Sequence, residues 1–102
     1  MNKKKVVQII FYAVEEINEQ LPQEQQLGQS TKTVLFGKDG KLDSLALVNL
    51  IVVIEQNIED EFDVSITLAD ERAMSQKHSP FRTIGTLADY IVMLLKEIQN
   101  SN

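Results

Sequence analysis

Ser44 lies where a loop containing two glycines meets a long apolar stretch, in the segment FGKDGKLDSLALVNLIVVIEQ (residues 36–56). A serine in such a position can do three kinds of chemistry. Its hydroxyl can cap a helix, attack an electrophile as a nucleophile, or accept a covalently attached group. The residues around Ser44 and elsewhere in the chain help to distinguish these roles.

A catalytic serine needs a base and an oxyanion hole close to its hydroxyl. The chain has a single histidine, His78, in the polar segment SQKHSPF, and no G-x-S-x-G motif surrounds Ser44. These features disfavour a serine hydrolase. Capping remains open, because Asp43 and Ser44 both suit the N-cap position of a helix.

The same loop also has a weak similarity to a calcium-binding loop that starts at Asp39. Counted from Asp39, the third, sixth and twelfth positions hold Lys41, Ser44 and Leu50. A calcium loop needs an oxygen ligand, a glycine and a glutamate at those positions. The sequence therefore predicts no metal site, and the absence of cysteine excludes disulfides and thiolate ligands.

Composition and charge limit the class of partner. The 102 residues are 43% hydrophobic and carry a formal net charge of -5, which fits one domain spanning residues 1–102. From Asp43 to Glu71 there are eight acidic residues and no lysine or arginine. Such a segment repels nucleic acid. It either attracts a basic protein surface or is only a solvated helix face.

The sequence also predicts a cytoplasmic protein with no membrane partner. No apolar run reaches the roughly 18 residues of a membrane span. Residues 1–17 have a basic start and an apolar stretch, as signal peptides do. Here, however, the apolar residues are periodic, Glu15 and Glu16 interrupt them, and no small-residue cleavage site follows.

Apolar periodicity predicts an all-α fold, a small four-helix bundle with three long helices, one short helix and a long loop between the first two. The first helix is expected to stop at Pro22, the second to begin near Ser44, the short third to begin near Thr67, and the last to be capped by Thr83. The predicted buried stripes are Val7, Ile10, Phe11, Val14, Ile17 and Leu21 in the first helix, Leu47/Val48, Ile51, Ile54, Ile58 and Phe62 in the second, and Ile84, Leu87, Ile91, Leu94/Leu95 and Ile98 in the last. Val34, Leu35 and Phe36 are expected to pin the long loop onto the core.

Three segments together resemble the acyl carrier protein family. DGKLDSLALVNLIVVIE resembles the attachment site of that family, with Asp43, Ser44, Leu45 and Val48 in the signature positions. EDEFDVSI resembles the acidic end of the family's second helix, and FRTIGTLADYI resembles the entry into its last helix. The resemblance covers nearly the whole chain from Val34 onward.

The resemblance implies a carrier protein of the acyl carrier type, a monomer and not an enzyme. It implies that Ser44 bears 4′-phosphopantetheine, which holds an acyl or aminoacyl group as a thioester. It also implies that Asp43 assists a phosphopantetheinyl transferase near the magnesium ion of that enzyme, and that Leu45 docks in an apolar pocket of the enzyme. The other implied partner is an acyl-loading ligase, acyltransferase or synthase with a basic surface, with Val48 among the contact residues.

Two departures from the family pattern bear on the pathway. Ser44 and Phe62 are 18 positions apart, about one helical turn more than in the commonest fatty-acid carriers. Ala46 and Asn49 occupy positions where those carriers often have acids. We therefore expect a specialised pathway of lipid or secondary-metabolite biosynthesis. The alternative is an acidic helical interaction domain without a prosthetic group.

Four acids of the second helix are predicted to bind the partner: Glu55, Glu59, Asp60 and Glu61. They lie toward the end of the helix, where its dipole disfavours negative charge. Exposed ion pairs also add little to stability, so attraction of a basic enzyme explains these acids better. Recognition is therefore expected to be displaced toward the C-terminal half of the helix.

Overall fold

The computed structural model describes residues 3–36, 40–68 and 80–100. Within these ranges the protein has three α-helices and no strand: α1 (Lys3–Asn18), α2 (Ser44–Phe62) and α3 (Ile84–Asn100). A short 3-10 helix, Gln23–Gln25, interrupts the first connection. The all-α prediction is confirmed for this part of the chain.

The predicted short helix after α2 falls largely outside the described residues. Thr67 and Leu68 are described and are not helical, whereas residues 69–79, which include Asp70 and His78, lie outside the described ranges. The structure therefore supports a small helical bundle with three helices in its described part. Among those helices, none is both long enough and apolar enough to cross a membrane.

One hydrophobic core joins all three helices. α1 packs against both α2 and α3. Lys5, near the start of α1, forms a salt bridge with Glu61, near the end of α2, so these two helices run antiparallel. The fully or nearly fully buried side chains of the core include Val6, Ile10, Val14, Leu50, Ile54, Ile58, Ile84, Leu87, Ile91 and Leu95. Most members of the predicted stripes are buried, but Val48 is half-exposed and Leu21 lies beyond the end of α1. The face of α2 that packs on the core passes through Leu47 and not through Val48.

The end of α1 differs from the prediction. The helix ends at Asn18, four positions before Pro22, and a turn follows it. The Asn18 side chain donates from Nδ2 to the Leu27 carbonyl at 2.9 Å and accepts from the Leu27 N–H at 2.8 Å. Because Leu27 is buried in the core, this pair of bonds ties the start of the long connection to the end of α1.

Leu35 is the main anchor of the long loop. Its side chain is fully buried, whereas Phe36 is only half-buried against the core. The Leu35 N–H donates to the Arg82 carbonyl at 2.7 Å, and the Leu35 carbonyl accepts from the Leu42 N–H at 3.2 Å. The prediction that the apolar patch pins the loop is confirmed, with Leu35 more deeply placed than Phe36.

The same loop is bonded to the start of α3 by backbone hydrogen bonds. The Ile84 N–H donates to Thr33 O at 3.1 Å, and the Gly85 N–H donates to Thr31 O at 2.8 Å. A Cβ atom on residue 85 would lie 2.9 Å from Thr31 O, so a glycine is required for this close approach. The long connection is thus bonded to the rest of the protein both at its apolar patch and at the turn just before that patch, which contains Thr31 and Thr33.

Thr83 caps α3 as predicted. Its hydroxyl accepts from the Thr86 N–H at 3.0 Å, and the Thr86 hydroxyl accepts from the Thr83 N–H at 3.0 Å. This is a reciprocal capping arrangement in which threonine takes the place of the usual glutamate. It fixes the start of α3 next to the isolated antiparallel β-bridge between Val34 and Thr83.

Candidate functional site

The N-terminus of α2 is held in place by the residue just before it. Leu42 is buried in the core and its N–H bonds to the Leu35 carbonyl, so the chain enters the helix from a fixed point. Asp43 follows with extended backbone, and Ser44 is the first residue of the helix. The loop anchored by Leu35 therefore positions the residue that the sequence singled out.

Asp43 is the residue that caps α2. Its Oδ1 accepts from the Ala46 N–H at 2.8 Å, and its carbonyl accepts from the Leu47 N–H at 2.9 Å. Of the two capping candidates in the sequence, the structure selects Asp43. Ser44 is the first helical residue, so the N-cap position does not depend on it.

The first turn of α2 offers donors to an anion. An α-helix cannot satisfy its first four N–H groups internally. The Asp43 carboxylate accepts from one of these amides, that of Ala46, and the Leu47 N–H makes the first regular helical bond, to the Asp43 carbonyl. The amides of Ser44 and Leu45 come before them, at the positive end of the helix dipole. A negatively charged group attached at Ser44 would be favoured there.

An exposed apolar stripe begins immediately after Ser44. Leu45 is 71% exposed, Val48 50% and Val52 44%. Their spacing of three and four residues places them on one face of the helix. The opposite face is buried through Leu47, Leu50, Ile51, Ile54 and Ile58. The stripe carries no charge, because no ionisable residue lies between Asp43 and Glu55.

The four acids predicted to bind a partner have different environments. Glu55 is half-buried and accepts from the Leu68 N–H at 2.7 Å, which ties the segment after α2 back to the helix. Glu61 forms the salt bridge with Lys5. Glu59 and Asp60 are exposed and make no salt bridge within the described part of the chain. The partner-binding prediction therefore depends mainly on Glu59 and Asp60.

The acidic end of α2 is far from its N-terminus. Ser44 and Asp60 are 16 positions apart on one continuous helix, which is about 24 Å along the axis. The two predicted functional regions thus lie at opposite ends of α2. A partner that contacts both must span most of the length of the helix.

Val52 extends the exposed stripe but was not singled out from the sequence. A signal was present, because residues 45–54 are all apolar except Asn49. One face of a helix can bury only part of such a run, so some of these side chains had to be exposed. Which ones are exposed depends on the orientation of α2 against α1, which the sequence does not give.

Tyr12 was also not singled out, although it is 67% exposed. It lines a groove between α1 and α2 together with Glu16, Asn57 and Asp60.

No protein-family model matches the chain, and no curated protein or solved structure matches it significantly.

Proposed function

We propose that this protein is a carrier that bears 4′-phosphopantetheine on Ser44 and presents an acyl or aminoacyl group to enzymes. The observation that carries the proposal is the placement of Ser44. It is the first residue of α2, directly after the Asp43 cap and directly before the exposed Leu45. This arrangement supports a serine that serves as an attachment point on a rigid helix end.

The residues at the start of α2 fit a phosphodiester. The attached phosphate would carry a negative charge, and the first-turn amides and the helix dipole favour an anion at this end. Within the described residues, no acid other than Asp43 lies in or next to the first turn. Ser44 would hold the group covalently, and the amides of Ser44 and Leu45 are suited to stabilise its charge.

The attachment of phosphopantetheine to Ser44 requires no general base from this chain. The Ser44 oxygen forms a bond to the pantetheine-side phosphorus of coenzyme A, and the bond from that phosphorus to the bridging oxygen of the pyrophosphate breaks. Adenosine 3′,5′-bisphosphate leaves, and the serine proton passes to the transferase. When bound, the group supplies a terminal thiol for the thioester. A chain without cysteine can therefore carry thioester-linked cargo.

Asp43 and Leu45 have separate tasks in this proposal. Asp43 uses Oδ1 for the cap and is exposed, so its carboxylate can also approach a magnesium ion held by the transferase. Leu45 projects an apolar side chain next to the reacting serine, where an apolar pocket of the transferase can bind it. One side chain thus orders the helix end and the other docks the enzyme.

The exposed stripe supports contact with a partner over the first half of α2. Apolar side chains at Leu45, Val48 and Val52 are costly to leave in water unless something covers them. Their surroundings are neutral, which suits an enzyme whose contact surface is apolar there. This feature supports a dedicated loading ligase, acyltransferase or synthase as the partner.

Intact-mass measurement tests the proposal. The protein is incubated with coenzyme A, magnesium and a phosphopantetheinyl transferase of broad specificity. We expect one phosphopantetheine per wild-type chain, none on Ser44→Ala, and one on the control Ser65→Ala, which alters an exposed loop serine. An unmodified wild-type chain would instead favour the acidic interaction domain without a prosthetic group.

A further inference from the structure

A groove runs between α1 and α2 near the end of α2 that is remote from Ser44. Ile9 is buried beneath it, while Tyr12 and Glu16 line its α1 side, and Asn57 and Asp60 line its α2 side. Tyr12 and Glu16 are four positions apart on α1, so they lie on the same face one turn apart. The groove therefore combines an exposed aromatic ring with carboxylates from two helices.

The charge of the groove is negative. The salt bridge between Lys5 and Glu61 stands at one end and neutralises both of these groups. Glu16 and Asp60 are exposed and make no salt bridge among the described residues. Two uncompensated carboxylates thus face the solvent beside the Tyr12 ring, and they attract a cation.

We infer that this groove docks an arginine side chain of a basic protein partner. A guanidinium is planar, so it can stack on the Tyr12 ring while its N–H groups bond to a carboxylate. A lysine ammonium lacks the planar fork and is more strongly hydrated, so it gains less from the same surroundings. The Asn57 side-chain oxygen can accept a further N–H from the same group.

This surface is separate from the apolar stripe beside Ser44. It lies on the α1–α2 face, and Asp60 is about 24 Å along α2 from Ser44. The inference does not require Ser44 to be modified. It can therefore fail or succeed independently of the carrier proposal, provided that the unmodified chain is used.

The test uses the full unmodified chain and a blocked pentapeptide with two arginines separated by glycine, followed by amide chemical shifts at low ionic strength. We expect saturable shifts centred on Tyr12, Asn57 and Asp60, and weaker binding of the lysine version of the peptide. Tyr12→Ala should weaken binding of the arginine peptide about three- to fivefold. Tyr12→Phe should bind like wild type, because it retains the ring.

Charge controls complete the experiment. Asp60→Asn should weaken binding, whereas Glu24→Gln removes the same charge from an exposed site in the 3-10 helix and should leave binding unchanged. The inference is overturned if the lysine peptide binds equally well, or if Tyr12→Ala binds like wild type. It is also overturned if no saturable binding occurs, or if Glu24→Gln weakens binding as much as Asp60→Asn. Tyr12 is largely exposed, so its variants should keep the fold, which the amide spectrum verifies.

Discussion

The Asp43 carboxylate accepts a hydrogen bond from the Ala46 N–H at 2.8 Å, which makes Asp43 the N-cap of α2. Ser44 is therefore placed at the helix start by its neighbour. A serine that also had to cap the helix could not be modified without a loss of stability. Here the capping role and the proposed attachment role belong to two adjacent residues.

Because the two roles belong to different residues, substitutions of Asp43 and Ser44 should lower the free energy of unfolding by different amounts. Asp43→Ala should lower the free energy of unfolding by about 1 kcal/mol, because it removes the cap. Ser44→Ala should change it by less than about 0.5 kcal/mol, since alanine is a good helix former at a first-turn position. Urea denaturation followed by circular dichroism measures both. Equal losses for the two variants would contradict the assignment of the cap.

The loop anchor gives a second prediction. Leu35 is fully buried, so Leu35→Ala should lower the free energy of unfolding by about 3 kcal/mol. Phe36 is only half-buried, so Phe36→Ala should cost less than Leu35→Ala, although phenylalanine is the larger residue. Denaturant titration of both variants gives the order. A larger loss for Phe36→Ala would show that Phe36 is the main anchor.

The C-terminus of α2 gives a third prediction. Asp63 has a φ of 55°, in the left-handed region, and its N–H bonds to the Glu59 carbonyl at 2.9 Å. Asp63→Gly should raise the free energy of unfolding by up to about 1 kcal/mol, because glycine adopts this conformation without a steric penalty. Thermal and urea unfolding measure the change.

Asp63→Ala is the matched control, because it removes the same charge but retains a Cβ atom. It should lower stability, since alanine is strained at positive φ. If both substitutions change stability in the same direction and by the same amount, the effect comes from charge at the helix end and not from backbone conformation.

A fourth prediction concerns the exposed acids at the end of α2. Reversal of Glu59 and Asp60 to lysine should slow association with the cognate loading enzyme and weaken its dependence on salt, because it removes attraction to a basic surface. Thermal stability should change little, since both side chains are exposed. Stopped-flow or surface-plasmon kinetics at several salt concentrations measure the rate.

The control reverses Glu19 and Glu24, which are exposed and lie outside α2. It alters the net charge equally but should affect the rate less. Loading of the Glu59/Asp60 variant at the wild-type rate at low salt would mean that these acids only keep the surface hydrated.

The features that the sequence predicted well are local. The buried stripes follow from helical periodicity, and the Thr83 cap follows from a threonine placed just before an apolar repeat. The anchor at Leu35 was predictable because apolar residues in a polar connection need a place in the core. These patterns are each contained within a few turns of chain.

Some features could not be predicted from the sequence because they depend on residues distant in the chain. Another depends on a choice between two adjacent residues with similar preferences. The Asn18 side chain, at the end of α1, makes both of its bonds to Leu27, nine residues away. Glu55 acquires a partner at Leu68 through the path of the chain after α2. Asp43 and Ser44 have similar capping preferences, so only the geometry of the loop decides between them.

In the proposed carrier, Ser44 is the single attachment point for phosphopantetheine. The most direct measurement is peptide mapping by mass spectrometry after reaction with coenzyme A and a phosphopantetheinyl transferase. We expect one modified peptide, the one containing Ser44, in both wild type and Ser65→Ala, and no modification of Ser44→Ala. Modification of Ser44→Ala, or a wild-type chain left unmodified by transferases that act on a carrier protein in the same reaction, would contradict it.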